Sequence, residues 1–289
     1  MNSIISLVFK ALCTIALFGM LVSCGSSTTV DPFKPTRVIG LGDSYNDTSN
    51  AYTVLGTGTV ESVVGQVAAY FGVSSVEGYA ESGASISDVA NQIKTVGTFN
   101  ATDLVVLSAG SKEIREGYSA ATFDAVAADA AAEAAASAFV DQVKELLRLG
   151  ARHILIMQPL EFSLTPLAFS DRTKYPRDLN SSPTVKFNAK VAGDLQAYVT
   201  SMGLSKNPII YGGLGLSSIF NTYVVNAHDG ANTYFANLIN PKCGSATSMV
   251  GCTLSADDNY LFADGVNLTP YGNRWVGQYL YNATSQGWR

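Results

Sequence analysis

The chain has 289 residues, 47% of them hydrophobic and 14% charged, with a formal net charge of −5. That length supports one sizeable core, and the acidic balance argues against nucleic acid as a partner. No set of His, Cys, Asp and Glu has the spacing of a metal site, and Gly40-Leu41-Gly42 lacks the third glycine of a dinucleotide loop and any P-loop lysine, so neither a metal nor a nucleotide cofactor is expected.

Residues 1–23 read as an export leader, in which Lys10 precedes the apolar run Ala11–Val22, too short for a comfortable membrane span. Leu21-Val22-Ser23-Cys24-Gly25 resembles a bacterial lipobox, which predicts cleavage before Cys24 and acylation of that residue. Residues 24–35 then form a polar tether carrying Pro32 and Pro35, and a single domain is expected over 36–289. The expected location is the bacterial cell envelope, lipid-anchored at the outer membrane, with the protein a monomer. Cys13 leaves with the leader and Cys24 is acylated, so in an exported chain Cys243 and Cys252 are expected to pair as a loop staple.

Thr36–Leu41 predicts a buried strand delivering Gly42-Asp43-Ser44 into a tight bend. Glu61–Phe71 predicts a helix with Val63, Val64, Val67 and Ala68 on one face and Gly72 as its stop. A short strand follows near Val73–Val76, then a loop over Gly78–Ser85 in which Gly83 lets backbone N–H approach a ligand. Leu104–Ser108 is the next buried strand, opening into a small-residue bend at Ala109–Glu113. Ala120–Leu149 is alanine-rich and helix-forming, and Asp124, Asp129 and Glu133 exclude it as a membrane span. Gly150 stops it and His153–Gln158 forms a third buried strand. Pro159–Ser182 reads as a long loop able to border a cleft, Val185–Met202 as a helix, Pro208–Tyr211 as a strand and Ser217–Asn226 as a helix. The stretch Tyr260–Pro270 turns into a last helix ending near Tyr281. Strands and helices alternate, which predicts an α/β fold: a three-layer α/β/α sandwich on a parallel sheet.

Four of these stretches, taken in order, resemble the blocks of the GDSL or SGNH hydrolases, serine esterases and lipases on a flavodoxin-like sheet. Gly42-Asp43-Ser44 matches the first block, which implies Ser44 as nucleophile and its N–H as an oxyanion donor. Gly83 matches the glycine of the second block, implying a further donor. Gly110-Ser111-Lys112-Glu113 stands where the family has Gly-x-Asn-Asp, and Tyr260–Thr269 stands where it has Leu-Phe-Trp-Asp-x-x-His-Pro-Thr. Asp264 is therefore the implied triad carboxylate. Asn267 occupies the histidine position and Lys112 the position of the oxyanion asparagine, while Leu268 replaces the usual proline.

A serine hydroxyl needs a base to take its proton, and an amide cannot do so near neutral pH. The chain has two histidines. His153, at the start of a buried strand, reads as structural, and His228 is a loop residue that would have to reach Ser44 from a distance. Lys112 is a second candidate, as base or as charged oxyanion donor, since serine–lysine pairs run acyl transfer on other folds. Asp257-Asp258 reads as a solvated turn, and the glycosylation-like triplets at Asn46 and Asn267 have no expected use in a bacterial lipoprotein. Two functions follow from the resemblance. One is a carboxyl-ester hydrolase using Ser44 with a weakened base, acting on a small ester, a lipid or an acylated glycan. The other is a catalytically inactive surface lipoprotein that binds an acylated lipid or glycan.

Overall fold

Four of the five strands of the central sheet are runs of apolar residues long enough to be buried on both faces, and their side chains alternate between two cores. In the computed structural model, which describes residues 33–49, 61–118, 123–176, 178–204, 208–211, 220–222, 237–244, 252–255 and 259–288, these are β1 (Arg37–Gly42), β3 (Asp103–Ser108), β4 (His153–Met157) and β5 (Ile209–Tyr211), joined by β2 (Val76–Gly78). All pairings are parallel, in the order β2-β1-β3-β4-β5. Strand order reverses at β1, the place where open parallel sheets bind ligands beyond their carboxyl ends.

Ile39, Leu41, Val105, Leu107, Ile154 and Ile156 point to one face. There they meet α2 (Ile86–Val96), α4 (Ala125–Arg148) and α6 (Pro183–Ser201) through Val89, Ile93, Phe139, Val143, Phe187 and Val191. The intervening residues Val38, Leu104, Val106, Leu155 and Met157 point the other way, onto α1 (Val63–Tyr70) and α7 (Pro270–Gly287). The period-two alternation of the strands thus generates the three layers. Two shorter helices, α3 (Ser111–Gly117) and α5 (Pro166–Ser170), flank the carboxyl edge of the sheet.

Helix boundaries follow capping chemistry. Ser62, Ser85, Asp124, Ser182 and Thr269 each accept a backbone N–H at the start of α1, α2, α4, α6 and α7. The Asp124 cap sets the start of α4 at Ala125 rather than at the predicted Ala120. Unpredicted α2 opens on a complete capping box, Ser85 with Asp88, and its buried Ile86, Val89 and Ile93 carry helical spacing. The bend predicted at Ala109–Glu113 is instead the entry to α3, with Gly110 at φ 106° as its cap. β2 forms three residues later than its predicted start, the long connection after β4 contains a 3-10 turn at Phe162–Leu164 and α5, and α7 runs on to Gly287. Of the helix predicted at Ser217–Asn226, only residues 220–222 are described, and they are helical.

Asn46 ties the central strands together behind the first bend. Its buried amide donates to the Leu41 carbonyl and to the Val106 carbonyl, both at 3.0 Å. Asn46→Ala removes both bonds and leaves buried acceptors unpaired, and is expected to cost about 2–4 kcal/mol. Urea unfolding of the variant measures this, and a loss under about 0.5 kcal/mol would contradict the bridging role.

Candidate active site

At the end of β1 the chain turns at Gly42, whose φ of 111° suits only glycine. The turn is fixed from two sides. Gly42 N–H donates to Gln92 Oε1 at 2.6 Å while Gln92 Nε2 donates back to the Gly42 carbonyl at 3.0 Å. Asp43 N–H donates to the Ser108 carbonyl at 2.9 Å, and the Ser108 hydroxyl donates to Asp43 Oδ1 at 2.8 Å. Burial pushes the Asp43 carboxyl above its ordinary pKa, against the opposing effect of the Ser108 bond. Between these clamped neighbours, Ser44 stands half-buried on the wall of a cleft.

Asp47 ties the second block to the first. Its Oδ2 accepts from the Ser82 N–H and the Ser82 hydroxyl, both at 2.8 Å, and its Oδ1 accepts from the Ser49 N–H and hydroxyl. Burial works against the Asp47 charge, but these donors outweigh it and hold its pKa below the ordinary carboxylate range. Gly83, next in the chain at φ 80°, lines the same cleft as Ser44.

The last block is a tight hydrogen-bonded loop before α7. Asp264 is fully buried, and its Oδ1 accepts from Val266 N–H at 2.8 Å and Asn267 N–H at 2.6 Å. Asn267 Nδ2 donates to Asp264 Oδ2 at 2.9 Å. The asparagine amide thus makes the bond to the carboxylate that an imidazole N–H makes in a serine triad. It offers no nitrogen lone pair beyond it: the rest of the side chain is a carbonyl oxygen, which accepts a hydrogen bond but not a proton. A Cys243–Cys252 disulfide, Cα to Cα 5.5 Å, adjoins this loop, and Cys243 N–H donates to the Ala263 carbonyl at 2.8 Å.

The cleft is about 190 Å³. Ser44, Gly83, Lys112 and Asn267 all line it, so residues drawn from β1, the loop after β2, α3 and the loop before α7 converge there. Asp264 sits behind Asn267. Tyr45, Ile114, Leu160, Phe162 and Val266 supply an apolar wall, and the segment after β4 therefore does border the cleft. His153 lies elsewhere. It opens β4 in register with Leu104 at the amino edge of the sheet, while Ser44 follows the carboxyl end of β1. Its ring stacks on Phe33 at 3.6 Å, and its Nδ1 is 3.0 Å from the Ala101 carbonyl oxygen. His228 falls outside the described residues, as do Cys24, Asp257 and Asp258. Among the described residues no group of three His, Cys, Asp or Glu comes together for a metal.

Gln92, Ser108, Asp47 and Arg115 hold or line this site without having been singled out in the sequence. Gln92 had a signal, the capped amphipathic helix that carries it. Arg115 had one too, since it follows Lys112 by one helical turn in α3.

The family model described as GDSL-like Lipase/Acylhydrolase matches residues 38–280. The chain belongs to the GDSL-like lipase/acylhydrolase family. No curated protein matches it significantly. Among solved structures, the acetyl xylan esterase AlAXEase is 14% identical, with 86% of this chain and 98% of that chain covered and a TM-score of 0.48. Phospholipase A1 from Streptomyces albidoflavus NA297 is also 14% identical, over 86% and 98% of the two chains, with a TM-score of 0.47. A putative GDSL-like lipase from Parabacteroides merdae ATCC 43184 is 10% identical, over 88% and 98%, with a TM-score of 0.45. The family assignment rests on the family model, and the GDSL-like fold is that of the five-stranded parallel sheet described above.

Proposed function

We propose that this GDSL-family chain is a serine ester hydrolase of much reduced turnover, acting on carboxyl esters of a lipid or an acylated glycan, with Ser44 as nucleophile. The observation that carries this reading is the convergence of Ser44, Gly83 and the Asn267–Asp264 pair on one cleft. Ser44 Oγ attacks the ester carbonyl carbon, and the Ser44 and Gly83 N–H groups and the Lys112 ammonium receive the developing oxyanion. The hydroxyl proton passes to solvent, because Asn267 cannot accept it; the oxyanion collapses with departure of the alcohol, protonated from solvent, and water then cleaves the acyl-serine to the free acid and Ser44. Loss of a triad member lowers the rate by several orders of magnitude while the oxyanion site retains residual catalysis.

A second reading, binding of an acylated lipid or glycan without turnover, is favoured by the Asn267 amide itself, which occupies Asp264 and cannot accept a proton. A fluorophosphonate probe separates the two. Slow labelling at Ser44, absent in Ser44→Ala, is expected for the hydrolase; an unlabelled wild-type protein would leave only the binding reading.

We also propose a monomeric lipoprotein of the bacterial envelope at the outer membrane; the lipobox-like segment supports its anchoring by acyl chains on Cys24. Mass spectrometry of the amino-terminal peptide from the native host is expected to begin at acylated Cys24. An unacylated amino terminus at any other residue would contradict the anchor.

A further inference from the structure

We propose that the Ser44 cleft is a receptor for a free short-chain carboxylate, held in preference to the neutral ester of the same acid. This rests on the reading of the cleft as an acyl site and goes beyond it, because the ligand is the acid and not the ester. Two cations carry the argument. Lys112 and Arg115 lie one turn apart on α3, and both line the cleft. Among the described residues neither side chain has an ion-pair or hydrogen-bond partner. Several cations elsewhere do: Arg37 pairs with Asp103 and Glu77, Arg148 with Glu145, Arg274 with Glu61 and Lys190 with Asp194.

The nearby carboxyls do not neutralise this pair. Asp43, which also lines the cleft, is occupied by the Ser108 hydroxyl, and burial disfavours its charged form. Asp264 is saturated by Val266 and Asn267. Glu113, on the same helix, accepts from the Ile86 N–H. Asp88 feels the Lys112 charge but is bound through its own capping box to Ser85. An acidic protein therefore presents at this cleft two cations with no ion pair among the described residues.

Charge decides which ligand this suits. An ester carbonyl is neutral until the transition state, so a neutral donor beside the oxyanion acts only when charge develops. A cation in that position also attracts an anion that is charged from the outset. A carboxylate places one oxygen toward the Gly83 and Ser44 N–H groups and the other toward Lys112 and Arg115, with its alkyl chain against Leu160, Phe162 and Val266. Size limits the chain: a 150 Å³ apolar cavity holds benzene, so the cleft of about 190 Å³ takes an acid of roughly six carbons.

Hexanoate and hexanamide test this, since they match in shape and differ in charge. Calorimetric titration of the full mature chain at pH 7.5 and low salt is expected to show hexanoate binding at least tenfold tighter than hexanamide. Lys112→Gln with Arg115→Gln should abolish that preference while leaving the melting temperature unchanged, since neither side chain has an ion-pair or hydrogen-bond partner among the described residues. Equal affinity for acid and amide overturns the proposal, as does an unchanged preference in the folded double variant. Fluorophosphonate labelling of the same samples keeps the two ideas apart. Labelling without acid preference leaves the hydrolase and removes the receptor, whereas acid preference without labelling does the reverse.

Discussion

Gly42 has no room for a side chain: a Cβ there would lie 1.5 Å from the Ser108 carbonyl oxygen. That contact lets β1 end hard against β3, with the Asp43 N–H bonded to the same carbonyl. Ser44 then follows at the carboxyl edge of the sheet with no freedom to drift. The remaining supports serve this one approach. Gln92 clamps Gly42 from α2, Asn46 bridges the β1 and β3 carbonyls from behind, and Asp47 reaches forward to hold Ser82 beside Gly83. A network of this kind, made mostly of buried groups with their partners in place, fixes geometry more than it adds stability.

Against that rigid frame, the departures from the family pattern at Asn267 and Lys112 are chemical rather than architectural. Asn267 keeps the hydrogen bond to Asp264 and the loop geometry around it, so the carboxylate is as well satisfied as it would be beside an imidazole. What disappears is a group whose pKa lies near neutrality. Lys112 exchanges a neutral donor for a cation at the same cleft wall, with Arg115 a turn away.

Much of the fold was legible because strand burial is written in runs such as Leu104–Ser108 and Ile154–Met157, and helix ends in Ser62, Gly72 and Gly150. The parallel sandwich followed from those runs, whereas the grouping of Ser44, Gly83, Lys112 and Asn267 came from the resemblance of their blocks to those of the GDSL family. Three things were harder to read. α2 hid behind a glycine- and serine-rich loop, although Ser85 and Asp88 announce it. The clamps Gln92 and Ser108 act across 50 and 65 residues of sequence, a separation that local pattern does not encode. Arg115 becomes a cleft residue only once Gly110 turns the bend after β3 into a helix.

Replacing the amide by an imidazole addresses the central claim, that a proton acceptor is the missing part of an otherwise assembled site. In Asn267→His, one ring N–H can bond Asp264 and the other nitrogen is available to Ser44. Hydrolysis of a p-nitrophenyl ester by this variant, followed from pH 5 to 9, is expected to rise at least about a hundredfold over the wild type. It should climb through an inflection near about pH 6.5 as the imidazole loses its proton. A folded Asn267→His protein that hydrolyses no faster than the wild type at every pH would contradict it.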